Sequence, residues 1–556
     1  MNKHNFLYFL FSAVMMIAAA ACKKQLNVGN PNSPTLQANV NSEAGLISLA
    51  KGGVYTNGFD NGDSWLGDSY FSLPWGYQEA MADVVSAEAS NNQVSVIGLP
   101  DYAILDDGTK VPNPSPQIAL IRTYNTRPST GAGNNVLYYH WLNMYALNSA
   151  CNLVLSLVPD IKFSGDAASR ANTIKAWCYW WKGYAYASIG TMYYSGLIID
   201  SVNGASNKYL LKDSLLSRSN YYYNLASSTL SSITSASDYS TILGELIPTF
   251  CQSGNGGVLT TAMWIRNINT MLARNILLNK LSPFVNNDPA ATITKSSTGT
   301  MSSGDWNNVL TLAANGIKKG DFVFTGRSVA SNGFITASGG TVASMTTGPN
   351  QSTAFKITER FTQNFKPGDA RLSSNFYMGG NYHSTFGGTR YSLKDSLSSS
   401  TTYVYGGTLV GQYELFIAGS YEENELMLAE ANIRLGNIDA GLAYVDAVRS
   451  SQGSGVAAVA NTGLSLAQAL TELTSERRVA LVFRGLSFYD SRRWGWTYAI
   501  SNGGGSYGNK LLTTSDVLNT NVTMNYNFLD YWDVPADESV LNPPAAGSAA
   551  VVNPNF

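Results

Sequence analysis

The chain has 556 residues, a formal net charge of −2 and 13% charged residues, about half the share of an ordinary soluble domain. That length supports a large core or several, while the charge balance provides no field for nucleic acid or anionic lipid. Only three His (His4, His140, His383) and no Gly-Lys-Ser/Thr loop occur, which argues against a His-rich metal site and a phosphate-cradling loop.

In chain order, Lys3 and His4 precede an apolar run over 6–21 that meets Cys22. Sixteen apolar or small residues are short for a membrane span and suit a signal peptide, 1–21, ending at a lipoprotein-type cleavage site. Cys22 is then the lipidated first residue of the mature chain. The stretch 22–40 is polar, rich in Asn and Pro and without periodicity, and reads as a flexible tether. Helices are expected over 42–55, 138–158, 168–194, 221–233, 263–281 and 306–317. The third is aromatic on most faces, so Trp177, Trp180, Trp181, Tyr184 and Tyr186 are expected in a core. Apart from the helix over 306–317, the region 282–419 is rich in Gly, Ser and Thr with scattered Tyr and Phe, which predicts loops and short strands inserted into a helical scaffold. Cys151, Cys178 and Cys251 cannot all pair, and they are expected as buried free thiols.

Catalytic signals are weak. Gly62-Asp63-Ser64 and Gly67-Asp68-Ser69 resemble nucleophile turns, but no matching base follows and no Gly-x-Ser-x-Gly elbow occurs. Asp60, Asp63 and Asp68 do not have calcium-loop spacing. The reading is therefore of a binding protein, not an enzyme, with no cofactor and no metal. Sugar rings have an apolar face and a hydroxyl rim, so aromatic side chains among small polar residues are suitable platforms. Residues 59–77 carry Trp65, Tyr70, Trp75 and Tyr77 amid Asp, Asn and Gly, and they form the first candidate site. A second lies over 381–405, with Tyr382, His383, Arg390, Tyr391 and Tyr403.

The C-terminal third is the most informative. Leu426, Ala429 and Ile433, then Leu442, Val445 and Val448, recur at helical spacing around a Gly436-Asn437 turn. Ala429 and Gly441 leave room for close approach, as in a tetratricopeptide-type helix pair. A further helix runs from 466 to about 483 and exits through an Arg-rich aromatic stretch. Glu476, Arg477, Arg478 and Asp490 beside the apolar run 479–483 are expected as paired charges locking a packed helix end.

Glu423, Leu426 and Ala429-Glu430-Ala431, with Glu476-Arg477-Arg478, Gly485, Asp490 and Arg493-Trp494-Gly495, resemble the C-terminal signature of the SusD/RagB family of outer-membrane nutrient-binding lipoproteins. Lys366-Pro-Gly-Asp-Ala-Arg371 is similar to an Asp-x-Arg element of that family, and 531–535 to its closing segment. Ala480 and Arg484 replace a usual Glu and Ser487 a usual Arg, so the chain looks like a divergent branch. Lys23 and Lys24 replace the acidic residues frequent after the lipidated Cys in surface-exposed members. The resemblance implies a mainly α fold, with tetratricopeptide-like helix pairs forming a SusD-like scaffold over 41–556 and the loop-rich insertion at about 282–419. It also implies a lipid-anchored outer-membrane protein that captures oligosaccharide and delivers it to a SusC-like TonB-dependent β-barrel. The alternatives are an oligopeptide-binding, RagB-like lipoprotein, a surface glycoside hydrolase, and a purely structural partner of the barrel.

Overall fold

The computed structural model describes residues 40, 42–55, 76–87, 95–126, 135–327, 355–393 and 414–556. The helices that build the scaffold are α1 (Glu43–Gly52), α2 (Tyr138–Leu157), α3 (Ala167–Met192), α4 (Lys212–Ser231), α5 (Ala236–Leu246), α6 (Thr261–Leu278), α7 (Ser303–Ala314), α8 (Tyr421–Arg434), α9 (Ile438–Ser451), α10 (Leu466–Ala480) and α11 (Ser487–Arg493). They pack in a row: α2 on α3, α3 on α4, α4 on α6, α6 on α7, α7 on α8, α8 on α9 and α9 on α10. The fold is mainly α with short strands, as the sequence predicts.

α3 is the central helix. Trp177, Trp180 and Trp181 have no exposed surface, and their rings meet Trp264 of α6, Phe324 and Tyr223 of α4. Gly183 lets α4 approach, since a Cβ there would lie 2.7 Å from the Tyr223 ring. Cys151, Cys178 and Cys251 are buried thiols outside any disulfide among the described residues, as expected.

The α8–α9 pair forms where the periodicity places it. Gly436 takes φ +91° at the turn, a conformation that glycine adopts without cost. A Cβ on Gly441 would lie 2.6 Å from the Ala429 carbonyl, so the two helices touch at these small residues. The charges beyond them are paired. Arg477 makes two bonds to Asp490, at 3.0 and 3.1 Å. Arg493 bridges Asp490 at 2.8 Å and Glu430 at 2.6 Å. Glu476 accepts from Arg371 and Arg449, and Arg371 also holds Asp369, so the Asp-x-Arg element is part of the lock.

Two four-stranded sheets join distant parts of the chain. β1 (Val85–Ala87), β2 (Tyr102–Ile104), β3 (Lys110–Pro112), β4 (Phe355–Ile357), β5 (Phe376–Tyr382), β6 (Thr389–Leu393), β7 (Ser506–Leu512) and β8 (Leu518–Asn525) pair in the orders β1-β4-β6-β5 and β7-β8-β2-β3. All these pairings are antiparallel, with Val85 opposite Ile357 and Thr523 opposite Ile104. Several elements differ from the sequence expectation, α4, α5 and the β7–β8 hairpin among them. α4 begins at Lys212, nine residues before the expected 221, because its polar first turns hide the buried stripe of Leu215, Ser219 and Tyr222. α5, capped by the Ser235 side chain on Asp238 N, and the β7–β8 hairpin were not expected.

Candidate functional site

A cleft of about 510 Å³ opens where the turn at 81–83 meets segments from the second half of the chain. Its walls are the turn at 81–83, the short helix Glu359–Thr362, the outer face of α10, the loop at Asn286-Asn287, and β7 with β8. Asp83 (φ +63°), Asn286 (φ +51°) and Asn287 (φ +58°) all occupy the left-handed region, which Asn and Asp tolerate better than other side chains. On β7, Ser506, Tyr507, Gly508, Asn509 and Lys510 all line the cleft. A regular strand would turn alternate residues away. Here the register shifts twice between Ser506 and Leu511, and Gly508 takes φ +68°, so the bulged strand re-aims its side chains.

Two half-buried rings, Trp496 and Tyr507, rim the cleft, while Phe284 and Tyr526 are buried in its wall. Trp496 is fixed by an Nε1–H bond to the Phe284 carbonyl (2.8 Å), by Trp494 with ring centroids 4.9 Å apart, and by the Arg478 guanidinium 5.6 Å from its centroid. Asn286, Ser475 and Asn521 make no side-chain hydrogen bond among the described residues, so their polar atoms are available to a ligand. Flat apolar surface beside free amides and hydroxyls matches the two faces of a sugar ring.

The electrostatics are unequal. Arg360 pairs with the carboxylate of Asp83, which also accepts from the Tyr526 hydroxyl and acts on Arg478 from a longer distance. Arg360 Nε lies 2.6 Å from Asp83 Oδ1, off the hydrogen-bonding direction, and Arg360 Nη1 is buried with no hydrogen-bond partner. Arg478 donates to the carbonyls of Ala82 (3.0 Å) and Asp83 (3.5 Å). Burial lowers the Arg478 pKa; Asp83 and Glu79 oppose the shift, and Arg360 reinforces it. Glu79, behind this turn, has no exposed surface, and burial pushes its carboxyl up to about 8 despite the pull of Arg478.

The residues predicted from sequence fall elsewhere. Cys22, Trp65, Tyr70, Trp75 and Tyr403 lie outside the described residues. Tyr77 does not offer a ring to a ligand: the short helix Gly76–Met81 turns it into the core with no exposed surface. Tyr382 and Tyr391 sit half-buried on the adjacent strands β5 and β6, and neither lines the cleft. Arg390 is bound to Glu359 at 2.7 and 3.0 Å, and His383 Nε2 lies 2.9 Å from Asp516. Trp496 was missed although it follows the Arg493-Trp494-Gly495 motif directly, and Tyr507 and Lys510 were missed in a Gly-rich stretch.

No protein-family model matches the sequence, and no curated protein matches it. Solved structures do match. A SusD-like carbohydrate binding protein from Bacteroides vulgatus superposes with TM-score 0.50 at 13% identity, covering 92% of this chain and 98% of that one. A SusD superfamily protein from Parabacteroides distasonis gives 0.53 at 12%, covering 91% and 98%. This is a SusD-like fold. A further SusD superfamily protein, from Bacteroides fragilis, gives 0.53 at 10% identity, covering 91% of this chain and 99% of its own. With nearly complete coverage at identities this low, what these chains share is the architecture.

Proposed function

We propose that this SusD-like chain binds an oligosaccharide in the cleft rimmed by Trp496 and Tyr507, and does not cleave it. The observation that carries the reading is the cleft itself: a space of about 510 Å³ lined by a fixed Trp ring and by amide and hydroxyl groups with no side-chain hydrogen bond among the described residues. Carbohydrate binding by the Bacteroides vulgatus protein of the same fold supports it. In this proposal Cys22 carries the lipid that holds the chain in the outer membrane, and the bound glycan passes to a SusC-like TonB-dependent barrel. Trp65, Tyr70 and Trp75 are proposed as additional rings for the same ligand.

Calorimetric titration of a soluble form beginning after Cys22, against oligosaccharides and oligopeptides, tests this. Saccharide binding without product release supports the reading. Trp496→Ala is expected to weaken it about tenfold or more, as loss of a central aromatic anchor does. Binding of peptides alone assigns the chain to oligopeptide capture, and turnover of a polysaccharide makes it a hydrolase. Cys22→Ser is expected to release the protein from membranes in a fractionation assay.

A further inference from the structure

The charge lining the cleft narrows the class of ligand, and this inference rests on the oligosaccharide reading. Among the described lining residues Arg360, Arg478 and Lys510 are cationic and Asp83 alone is acidic. Asp83 is already engaged by Arg360 and by the Tyr526 hydroxyl. Lys510 has no described carboxylate within ion-pair distance; only its backbone N–H is bound, to Gln363 Oε1 at 2.9 Å. Arg478 is 5% exposed and makes hydrogen bonds only to two carbonyls, while Arg360, equally buried, leaves Nη1 unpartnered. Of the other acids that act on Arg478, Asp490 is already held by Arg477 and Arg493, and burial pushes the Glu79 carboxyl up to about 8, so it stays largely protonated at neutral pH.

Buried cations without matching anions are costly. Elsewhere Arg371, Arg477 and Arg493, equally buried, each hold one or two carboxylates, whereas Arg492, also buried, is bonded to the carbonyls of Thr191, Leu278 and Asp530 and does not line this cleft. The cleft is therefore a region where positive charge exceeds negative charge at a surface that a ligand can reach. We propose that it takes an acidic oligosaccharide, with a carboxylate or sulfate group seated against Arg360, Arg478 and Lys510 and a sugar face against Trp496. A planar guanidinium donates two parallel bonds to such an oxyanion, which a neutral hydroxyl cannot accept in the same way.

The test uses matched pairs in calorimetry with the soluble chain: uronic-acid oligosaccharides against their carboxyl-reduced forms, and sulfated oligosaccharides against desulfated ones. The expected result is that at least one charged form binds about tenfold or more tightly than its neutral partner, with the preference shrinking at high salt. The two pairs distinguish carboxylate from sulfate. Lys510→Gln is expected to lower the charged-to-neutral affinity ratio while its melting temperature stays that of the parent. Arg478→Gln is a weaker probe, because Arg478 also braces the turn at Ala82. Equal affinity within both pairs, or tighter binding of the neutral forms, overturns this proposal and leaves the oligosaccharide reading standing. Binding of an acidic peptide with no saccharide binding, or no binding at all, overturns both.

Discussion

Arg477 and Arg478 are neighbours on α10, both nearly or fully buried, and they serve opposite ends. Arg477 faces inward and is held by both oxygens of Asp490, part of a lattice in which Asp490, Arg493 and Glu430 answer one another charge for charge. Arg478 faces the cleft, bonded to carbonyls and beside a second guanidinium. One helix thus carries a balanced face and an unbalanced one. The inward face joins Arg477 and Arg493 to carboxylates that hold the fold, and the cleft face carries more positive than negative charge.

Breaking the balanced face should have the largest effect. Arg493→Ala strands Glu430 without its partner and is expected to cost about 3–5 kcal/mol, read as a lower urea midpoint at unchanged slope. Next comes Glu79, behind the unbalanced face. Its carboxyl sits near 8 in the folded chain, against 4.5 for the ordinary group. Between those values the folded state keeps a proton that the unfolded state releases, so stability falls as pH rises from about 4.5 to 8. Glu79→Gln removes that slope. Melting curves at pH 5 and pH 8 should converge for the variant, which gains roughly 2–4 kcal/mol over the parent at the higher pH. An unchanged slope would show that Glu79 is charged in the fold and does balance Arg478. A smaller loss, about 1–3 kcal/mol, is expected for Gly441→Ala, whose new methyl meets the Ala429 carbonyl. Smallest of all is Lys510→Gln, which should stay within about 0.5 kcal/mol of the parent in denaturant, because no described contact depends on that ammonium.

The balanced face was legible in the sequence and the unbalanced one was not. Helical period, the Gly436 turn and the paired small residues are local signals, and the Glu, Arg and Asp beside an apolar run at 479–483 had to find partners once buried. The family signature sharpened this reading because its residues are those of the lock. The cleft has no such local signature. Asp83, Arg360, Arg478 and Tyr526 come from four separate parts of the chain, and β7 presents consecutive residues only because it is bulged. Trp496 was passed over since the motif before it already had a structural explanation. Tyr77 was chosen for its polar, aromatic surroundings, but it closes the core because its short helix turns it inward.

The bond from Tyr526 to Asp83 spans 443 positions of sequence, and β2 pairs with β8 over a similar separation. Contacts this distant carry a larger loop-closure entropy cost than the local helix pairs do. The cleft is accordingly a seam between distant parts of the chain, and a ligand seated across it would stitch them together. By mass action, occupancy should hold these segments in register and raise the free energy of opening. A partial digest with and without saccharide would show this as protection of the C-terminal hairpin, making the bound sugar a structural clasp as well as a cargo.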